Sequence, residues 1–387
     1  MIVPFTNTTV TNAERDLICR LVEEAATSGN FILKENAAQF ERRLCEWTGA
    51  AHAVAVASGS DAIKLSLRAA GIGPGDEVLT PAFSFPATAA AAMQLGAVPR
   101  FLDVDPHSGC LGSQVPLERP SSRVRAVVAA HLFSRHADVQ GLRPFADRHA
   151  LTLIEDSAVS FGSTVQGRPT GRWGHVGVFS YFPVKPLGGA GEAGVIITDD
   201  ESLAKQCRQL RNHGQDGITR FLHHVIGYNS RMDEIIAGFL LARLETFPAA
   251  LARRAEIARQ YDAAFARWSS DLELPPQKDG LSWYTYTIQF EGREALRTWL
   301  RQSGVETRVF YDPPLPLQPA FAALGHQPGD FPHAERVARR NLSLPLFPAM
   351  TDEQVEHVVN AVKAFFSAGA RHVVWNTERL SAEGARV

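Results

Sequence analysis

The stretch Ala53-Val54-Ala55-Val56-Ala57-Ser58-Gly59-Ser60-Asp61-Ala62-Ile63-Lys64-Leu65 runs from an apolar, β-rich segment through small polar residues into a helical pattern. A short strand apolar on both faces is one covered by helices on both sides. The small polar turn at its end places hydroxyls and free amides at a helix N-terminus, where anions bind. Gly59 permits close backbone approach there. Alone, the same residues read equally well as an ordinary N-cap.

Working outward, the pattern repeats. Strand-like runs occur at Ala53–Ala57, Glu77–Pro81, Arg100–Val104, Ala126–His131, Leu151–Glu155, Val176–Tyr181 and Gly194–Thr198. Helical stretches at Asp61–Ala70, Ala87–Leu95 and Val139–Ala150 lie between several of them. Alternation of this kind predicts an α/β fold with a mostly parallel, seven-stranded sheet between helices. The last two strands are too close in sequence for a helical crossover, so part of the sheet is expected to be antiparallel or irregular. Two helices are expected over residues 12–48, the second carrying Phe40, Leu44 and Trp47 at helical spacing. Ser230–Leu244 and Leu251–Trp268 read as two amphipathic helices. The polar stretch Leu274–Asp279 then leads to a strand at Tyr284–Phe290 and helices at Arg293–Ser303 and Asp352–Phe366. The chain divides into a large domain, residues 1–245, and a smaller α+β domain, residues 246–387, ending in a polar tail.

With 387 residues, two domains are the natural expectation. A formal net charge of −2 gives no general attraction to nucleic acid or anionic membranes, so any anion site must be local. No run of about 18 or more apolar residues is present, and the N-terminus lacks the pattern of a secretory signal; neither a membrane partner nor export is expected, and the cytoplasm is the default. Cys19, Cys45, Cys110 and Cys207 fit no metal or redox spacing and read as reduced thiols.

Gly189-Ala190-Gly191-Glu192-Ala193-Gly194 spells G-x-G-x-x-G, but Val195-Ile196-Ile197-Thr198 after it is a strand pattern. Without a following helix the dinucleotide reading fails, and a turn between strands is the better one. Two further features sit beside the Ser58–Asp61 turn. In Ile154-Glu155-Asp156-Ser157 a buried-looking strand ends in two carboxylates, at the strand edge where open α/β sheets bind ligands. In Phe179-Ser180-Tyr181-Phe182-Pro183-Val184-Lys185-Pro186-Leu187-Gly188-Gly189 a lysine lies in an apolar loop just past a strand. Desolvation lowers a lysine's pKa, which suits imine formation. Each alone has a plainer reading, a cap or a solvated loop; together they form a constellation.

The chain resembles the DegT/DnrJ/EryC1/StrS family of fold-type-I, pyridoxal-phosphate-dependent sugar aminotransferases. The likeness runs from about Asn30 to Phe366. It rests on Phe40-Glu41, Ala57-Ser58-Gly59-Ser60-Asp61-Ala62, Pro74-Gly75-Asp76-Glu77-Val78 and Pro81-Ala82-Phe83-Ser84-Phe85-Pro86-Ala87-Thr88. Ile154-Glu155-Asp156, the Phe179–Lys185 run, Ile226-Gly227-Tyr228-Asn229-Ser230-Arg231-Met232 and Leu344-Pro345-Leu346 continue it.

The resemblance implies that Lys185 is the Schiff-base lysine and Asp156 the partner of the cofactor's pyridine nitrogen. It implies that Ser60 and Asp61, beside Gly59, hold the phosphate of pyridoxal 5'-phosphate through backbone amides, with Ser180 as a further ligand. Phe85 falls where an aromatic ring stacks on the cofactor, although a core aromatic is the plainer reading. Asn229 matches a residue that reaches the phosphate from a neighbouring subunit, which implies a homodimer with shared active sites. The implied reaction moves an amino group from L-glutamate, through the pyridoxamine form, to a nucleotide-linked keto-deoxysugar such as a dTDP-linked 4-keto or 3-keto-6-deoxyhexose. An aminocyclitol precursor or a cofactor-binding regulatory role are the alternatives. Tyr311, His223 and Arg231 are candidate substrate contacts, the last two in a His/Arg-rich stretch from Arg211 to Arg231. Two departures stand out: Val159 where the family commonly has Gln or His, and Phe310 before Tyr311 where it often has His.

Overall fold

The computed structural model describes residues 1–112, 121–276 and 280–367. The expected polar tail and the end of the Leu274–Asp279 stretch lie outside the described residues. Helices α1 (Asn12–Ser28) and α2 (Glu35–Thr48) precede strand β1 (His52–Val56). Then follow α3 (Gly59–Ala69), β2 (Glu77–Pro81), α4 (Ala87–Gln94), β3 (Val98–Leu102), β4 (Val124–Ala130), α5 (Val139–Arg148) and β5 (Thr152–Asp156). A small hairpin, β6 (Thr164–Val165) and β7 (Arg168–Pro169), leads to β8 (Val176–Ser180) and β9 (Gly194–Thr198).

Seven of these strands form one sheet in the order β1-β9-β8-β5-β4-β2-β3. The pairings among β2, β3, β4, β5 and β8 are parallel, whereas β9 runs antiparallel to both β1 and β8. The short β8–β9 connection therefore reverses the chain, as its length required. Strands β8 and β9 are buried at every position, consistent with cover on both faces. The third strand begins two residues earlier than its apolar pattern suggested. Asp103 accepts the amides of His333 (3.0 Å) and Ala334 (2.8 Å), and this pulls the chain out of the sheet after Leu102.

After α6 (Glu201–Arg211), one continuous helix α7 (Glu234–Phe265) replaces the two expected at Ser230–Leu244 and Leu251–Trp268. Pro248 lies inside it. A proline removes one helical donor and usually ends a helix, which is why the sequence reads as a break. Packing on both sides of Pro248 overrides that preference. Leu244 and Phe247 are buried with Phe40 and Leu44 of α2, while Ile257, Tyr261 and Phe265 are buried in the C-terminal core. The residue 245/246 division thus falls within a helix shared by two cores. By length and composition α7 could cross a membrane, but here it packs against α1, α2 and α10 (Asp352–Ser367). Its N-terminal Glu234 is buried and accepts amides from Lys34 (2.7 Å), Asn36 (2.8 Å) and Ala37 (3.0 Å), so α7 caps α2.

The C-terminal core joins α7 to β10 (Tyr286–Gln289), α8 (Arg293–Gln302), β11 (Asn341–Leu344) and α10. Strands β10 and β11 pair antiparallel. Val3 belongs to this core as well, its amide bonded to the Gly304 carbonyl at 2.8 Å. Leu315, Phe321 and α9 (Pro332–Arg340) fold back on the main sheet, sharing a buried cluster with Phe83, Phe101 and Val127. That return brings Phe310 and Tyr311 over the C-terminal edge of the strands.

Candidate active site

The C-terminal ends of β1, β5 and β8 carry Ser58, Asp156 and Ser180, and the loop after β8 carries Lys185. This edge is where an open parallel sheet presents ligand-binding groups. Helix α3 starts at Gly59, with Ser58 as N-cap. The Ser58 hydroxyl accepts the Asp61 amide at 3.1 Å, and the first helical bond runs from Ala62 to the Ser58 carbonyl at 2.9 Å. The amides of Gly59 and Ser60 precede that bond and face the strand edge. An anion bonded to the Asp61 amide would share it with Ser58 or displace that hydroxyl. The Asp61 carboxylate is itself held by Lys64 (2.6 Å) and the Ser230 hydroxyl (2.7 Å).

Two glycines let these segments meet. A Cβ on Gly59 would lie 2.6 Å from Ser180 Cβ and 3.2 Å from its Oγ. A Cβ on Gly194 would collide with the backbone of Ser58 and Gly59. The last glycine of the G-x-G-x-x-G string therefore serves strand-to-turn contact, and the string is a connection between β8 and β9.

That connection is tightly tied. Tyr181 donates its amide to Ala193 (2.8 Å), Gly189 to Tyr181 (2.7 Å) and Lys185 to Phe182 (2.8 Å). The Lys185 side chain is held among protein groups, its Nζ 5.3 Å from the centre of the Tyr284 ring. Burial lowers the amine's pKa, and the charges of Asp156 and Glu192 offset only part of the shift. Asp156 is buried, and burial raises its carboxyl pKa against the opposing pull of the Ala158 amide, Lys185 and His131. Both shifts run toward the neutral forms of the two groups.

The neighbouring Glu155 behaves oppositely. Burial works to raise its pKa, but His131 and backbone amides prevail and the pKa falls. Its Oε1 meets His131 Nε2 at 2.8 Å, and its Oε2 accepts the amides of Trp173 (2.8 Å) and Gly174 (3.0 Å). Because Ala137 donates its amide to His131 Nδ1 at 3.1 Å, Nε2 is the protonated nitrogen and the donor to Glu155.

Aromatic residues close the other side. Phe85 is 56% exposed, and its ring lies 6.3 Å from that of Tyr311. Tyr311 has a left-handed φ of 58°, and burial raises its pKa, with Tyr284 and Asp156 adding to the shift. The Tyr284 phenol is pushed up to about 12 by burial, with Arg254 opposing. Val159, at the position where a polar partner is usual, is buried.

The remaining candidates come from residues 211–231, a stretch that includes Ser230, whose hydroxyl bonds Asp61. His223 is exposed, with Nδ1 2.7 Å from the His213 carbonyl oxygen. Arg231 donates to Asn212 Oδ1 at 3.4 Å. Arg211 is committed to Glu41 (2.6 Å) and the Ala55 carbonyl (2.7 Å), so it supports the fold. Asn229 is exposed at the end of the segment containing the exposed Ile218, Phe221 and Ile226. Tyr284, Arg254, His131, Lys64 and Ser230 were not singled out as site residues from sequence. All but Lys64, which pairs with Asp61 one turn away, depend on contacts between segments distant in the chain, although the strand-end position of His131 was a usable signal.

The sheet, the lysine loop and the strand-edge carboxyl define a fold-type-I pyridoxal-phosphate-dependent aminotransferase. The sequence model of the DegT/DnrJ/EryC1/StrS aminotransferase family matches residues 12–363, and the chain belongs to that family. A pleiotropic regulatory protein of Geobacillus stearothermophilus is 37% identical over 352 residues, covering 90% of this chain and 94% of its own. The dTDP-3-amino-3,4,6-trideoxy-alpha-D-glucose transaminase of Streptomyces venezuelae is 36% identical over 341 residues, covering 87% and 88%. A crystal structure of S. venezuelae DesV in complex with a ketimine intermediate superposes with a TM-score of 0.89 at 34% identity, covering 94% of this chain and 98% of that one.

The residues present fit the cofactor. The Gly59 side offers an anion cradle against Ser180, and among the described residues the buried Asp156 carboxyl accepts one amide, that of Ala158 at 3.1 Å.

Proposed function

We propose that this enzyme transfers an amino group from L-glutamate to a nucleotide-linked keto-deoxysugar, such as a dTDP-linked 3-keto or 4-keto-6-deoxyhexose, in aminosugar biosynthesis. The observation that carries the reading is one amine, Lys185, and one carboxyl, Asp156, each biased toward its neutral form at the same sheet edge as the open N-terminus of α3. The name of the S. venezuelae relative supports the sugar class.

Pyridoxal phosphate supplies a reactive aldehyde and a ring that delocalises the electrons left when a Cα–H bond breaks. The amides of Ser60 and Asp61, beside Gly59, and the Ser180 hydroxyl hold its phosphate. Asp156 would meet the ring nitrogen and favour a proton there. Phe85 covers the ring. Lys185 would hold the cofactor, and its amine, which burial biases toward the neutral form, would take up and return the proton at the substrate carbon. Val159 would offer the cofactor no hydrogen bond, so electronic control would fall more heavily on Asp156. Tyr311, His223 and Arg231 contact the sugar substrate.

The working unit in this reading is a homodimer, with Asn229 of the partner subunit completing the phosphate site. Exposure of Asn229 beside Ile218, Phe221 and Ile226 supports it, since apolar clusters of this kind mark interfaces. Light scattering of the purified protein tests the mass. The four free cysteines suit a reducing cytoplasm.

Purified holoenzyme mixed with L-glutamate should lose its visible absorbance band and gain one in the near ultraviolet. A panel of dTDP-keto sugars and a keto-inositol should then restore the visible band with one of the dTDP sugars. Stable cofactor binding without either change would instead support the regulatory role suggested by the name of the Geobacillus relative.

A further inference from the structure

A cavity of about 330 Å³ adjoins the lysine loop, and its wall includes Val184, Tyr284, Arg254, Arg308, Val309 and Phe310. Val184 immediately precedes Lys185, and the Tyr284 ring is the one that flanks Lys185 Nζ at 5.3 Å. The cavity contains two guanidinium groups and no acidic residue in its lining.

Arg254 is only 5% exposed. Its Nη1 donates to the carbonyls of Trp283 (3.1 Å), Tyr284 (3.3 Å) and Leu346 (3.1 Å), while its buried Nε has no partner. It forms no ion pair among the described residues. Burial without a counter-anion pulls its pKa down to about 10. Arg308, exposed at the same cavity, also forms no ion pair among the described residues and lies 5.8 Å from the Phe5 ring centre. Among the other buried arginines, Arg293 pairs with Asp312 at 3.0 Å and Arg340 with Glu291 at 3.1 Å, whereas Arg135, also without an ion pair among the described residues, donates to the Leu274 and Thr287 carbonyls and does not line this cavity. A dry cation without its anion is costly, and this one stands beside a cavity with no acidic residue in its lining.

We infer that Arg254 and Arg308 form the pocket for a carboxylate of the amino donor. The inference rests on the transamination reading above and names how that site takes its first substrate. An arginine fork suits a carboxylate, and Val184, Val309 and Leu346 offer apolar walls to the methylenes of a five-carbon dicarboxylate. A nucleotide-linked hexose is too bulky for this volume, at the lower end of the roughly 300–1,000 Å³ typical of small-molecule sites. The two substrates therefore share the lysine but are anchored in different places.

The test uses holoenzyme and the substitutions Arg308→Met and Arg254→Lys. The Arg308 side chain donates to no carbonyl or carboxylate among the described residues, and its backbone bond to the Ser343 carbonyl survives substitution, so its replacement leaves the fold intact; Arg254→Lys keeps the charge and loses the fork. Calorimetric binding of glutarate, an unreactive dicarboxylate, should weaken by about 10- to 100-fold in each variant, in line with loss of charge-assisted hydrogen bonds. The glutamate half-reaction should show the same loss in apparent affinity. The half-reaction with the aminosugar product should keep its wild-type affinity. Butyrate, with one carboxylate, separates two arms: weakening for glutarate alone assigns the donor's side-chain carboxylate, and equal weakening assigns its α-carboxylate. Folded Arg308→Met enzyme that binds glutarate like wild type overturns the inference while leaving transamination standing, as does a loss confined to the sugar half-reaction. Wild-type enzyme that accepts no amino donor at all overturns both readings.

Discussion

Replacing Gly59 by Ala tests how the phosphate cradle is built. The new Cβ would sit 2.6 Å from Ser180 Cβ, 3.2 Å from Oγ and 3.3 Å from Cα, contacts that include backbone and cannot be relieved by one rotamer. Ordinary carbon contacts lie near 3.5–4.0 Å, so the end of β8 and the start of α3 must separate by about 1 Å. Overpacking of this kind costs about 1–3 kcal/mol. The better helix propensity of Ala at the first position of α3 returns at most about 1 kcal/mol. A net loss of about 1–2 kcal/mol should appear in the apoenzyme's thermal midpoint. It should also appear as roughly 5- to 30-fold weaker pyridoxal phosphate binding, measured by equilibrium dialysis. The second substitution, Ser180→Gly, removes both side-chain atoms the new methyl meets. The double variant should therefore recover stability, though not the hydroxyl's share of cofactor affinity. A Gly59→Ala enzyme with wild-type midpoint and affinity, or a double variant no more stable than the single one, would refute the close approach.

Further outcomes follow from the same geometry. Lys185→Ala should abolish borohydride-trappable cofactor, and a covalent adduct that persists in the variant points to another lysine. Because burial lowers the Lys185 pKa while Asp156 raises it, Asp156→Asn should move the midpoint of apoenzyme reloading with cofactor to lower pH. A midpoint that moves up contradicts the pairing. Glu234→Ala removes the acceptor of three amides at the start of α2 and should lower stability by about 1–3 kcal/mol in urea unfolding, with Glu234→Gln intermediate. Glu155 has a depressed pKa in the folded state, so its contribution is present at neutral pH and declines as pH falls below the usual carboxylate range. His131→Ala should therefore cost most near pH 7 and progressively less in acid, a trend that pH-dependent unfolding would show or deny.

The seven-stranded sheet was legible because its strands are short, doubly apolar and separated by turn residues, and Ser58–Asp61 already marked the strand-to-helix join. The β8–β9 reversal was legible as well, since nine residues after the lysine there is already a strand. What failed was decided by contacts made far along the chain. Pro248 reads as a helix end, and only the burial of Phe247 on one side and Ile257 on the other keeps α7 whole. The third strand was placed late because Arg100–Val104 is apolar enough to continue; Asp103 leaves it to cap α9, 230 residues away. Within the site, Lys185 and Asp156 could be proposed from local sequence and resemblance. Arg254 could not, because in sequence it is one more arginine on an amphipathic helix.

Glu155 and Asp156 are adjacent on β5, and strand alternation sends their side chains to opposite faces. Sequence treats them as a pair of acids at a strand end, whereas their surroundings give them different work. Glu155 is closed: its two oxygens meet one imidazole N–H and two backbone amides, and it stays a carboxylate with no further ligand. Asp156 has one amide donor, from Ala158 at 3.1 Å, and burial otherwise leaves it short of partners. A buried carboxyl whose charged form burial disfavours gains most from a cationic N–H. A protonated pyridine nitrogen is such a donor. The hydrogen bonds that saturate Glu155 also fix the strand end and His131, and so hold the unsatisfied carboxyl beside it in place.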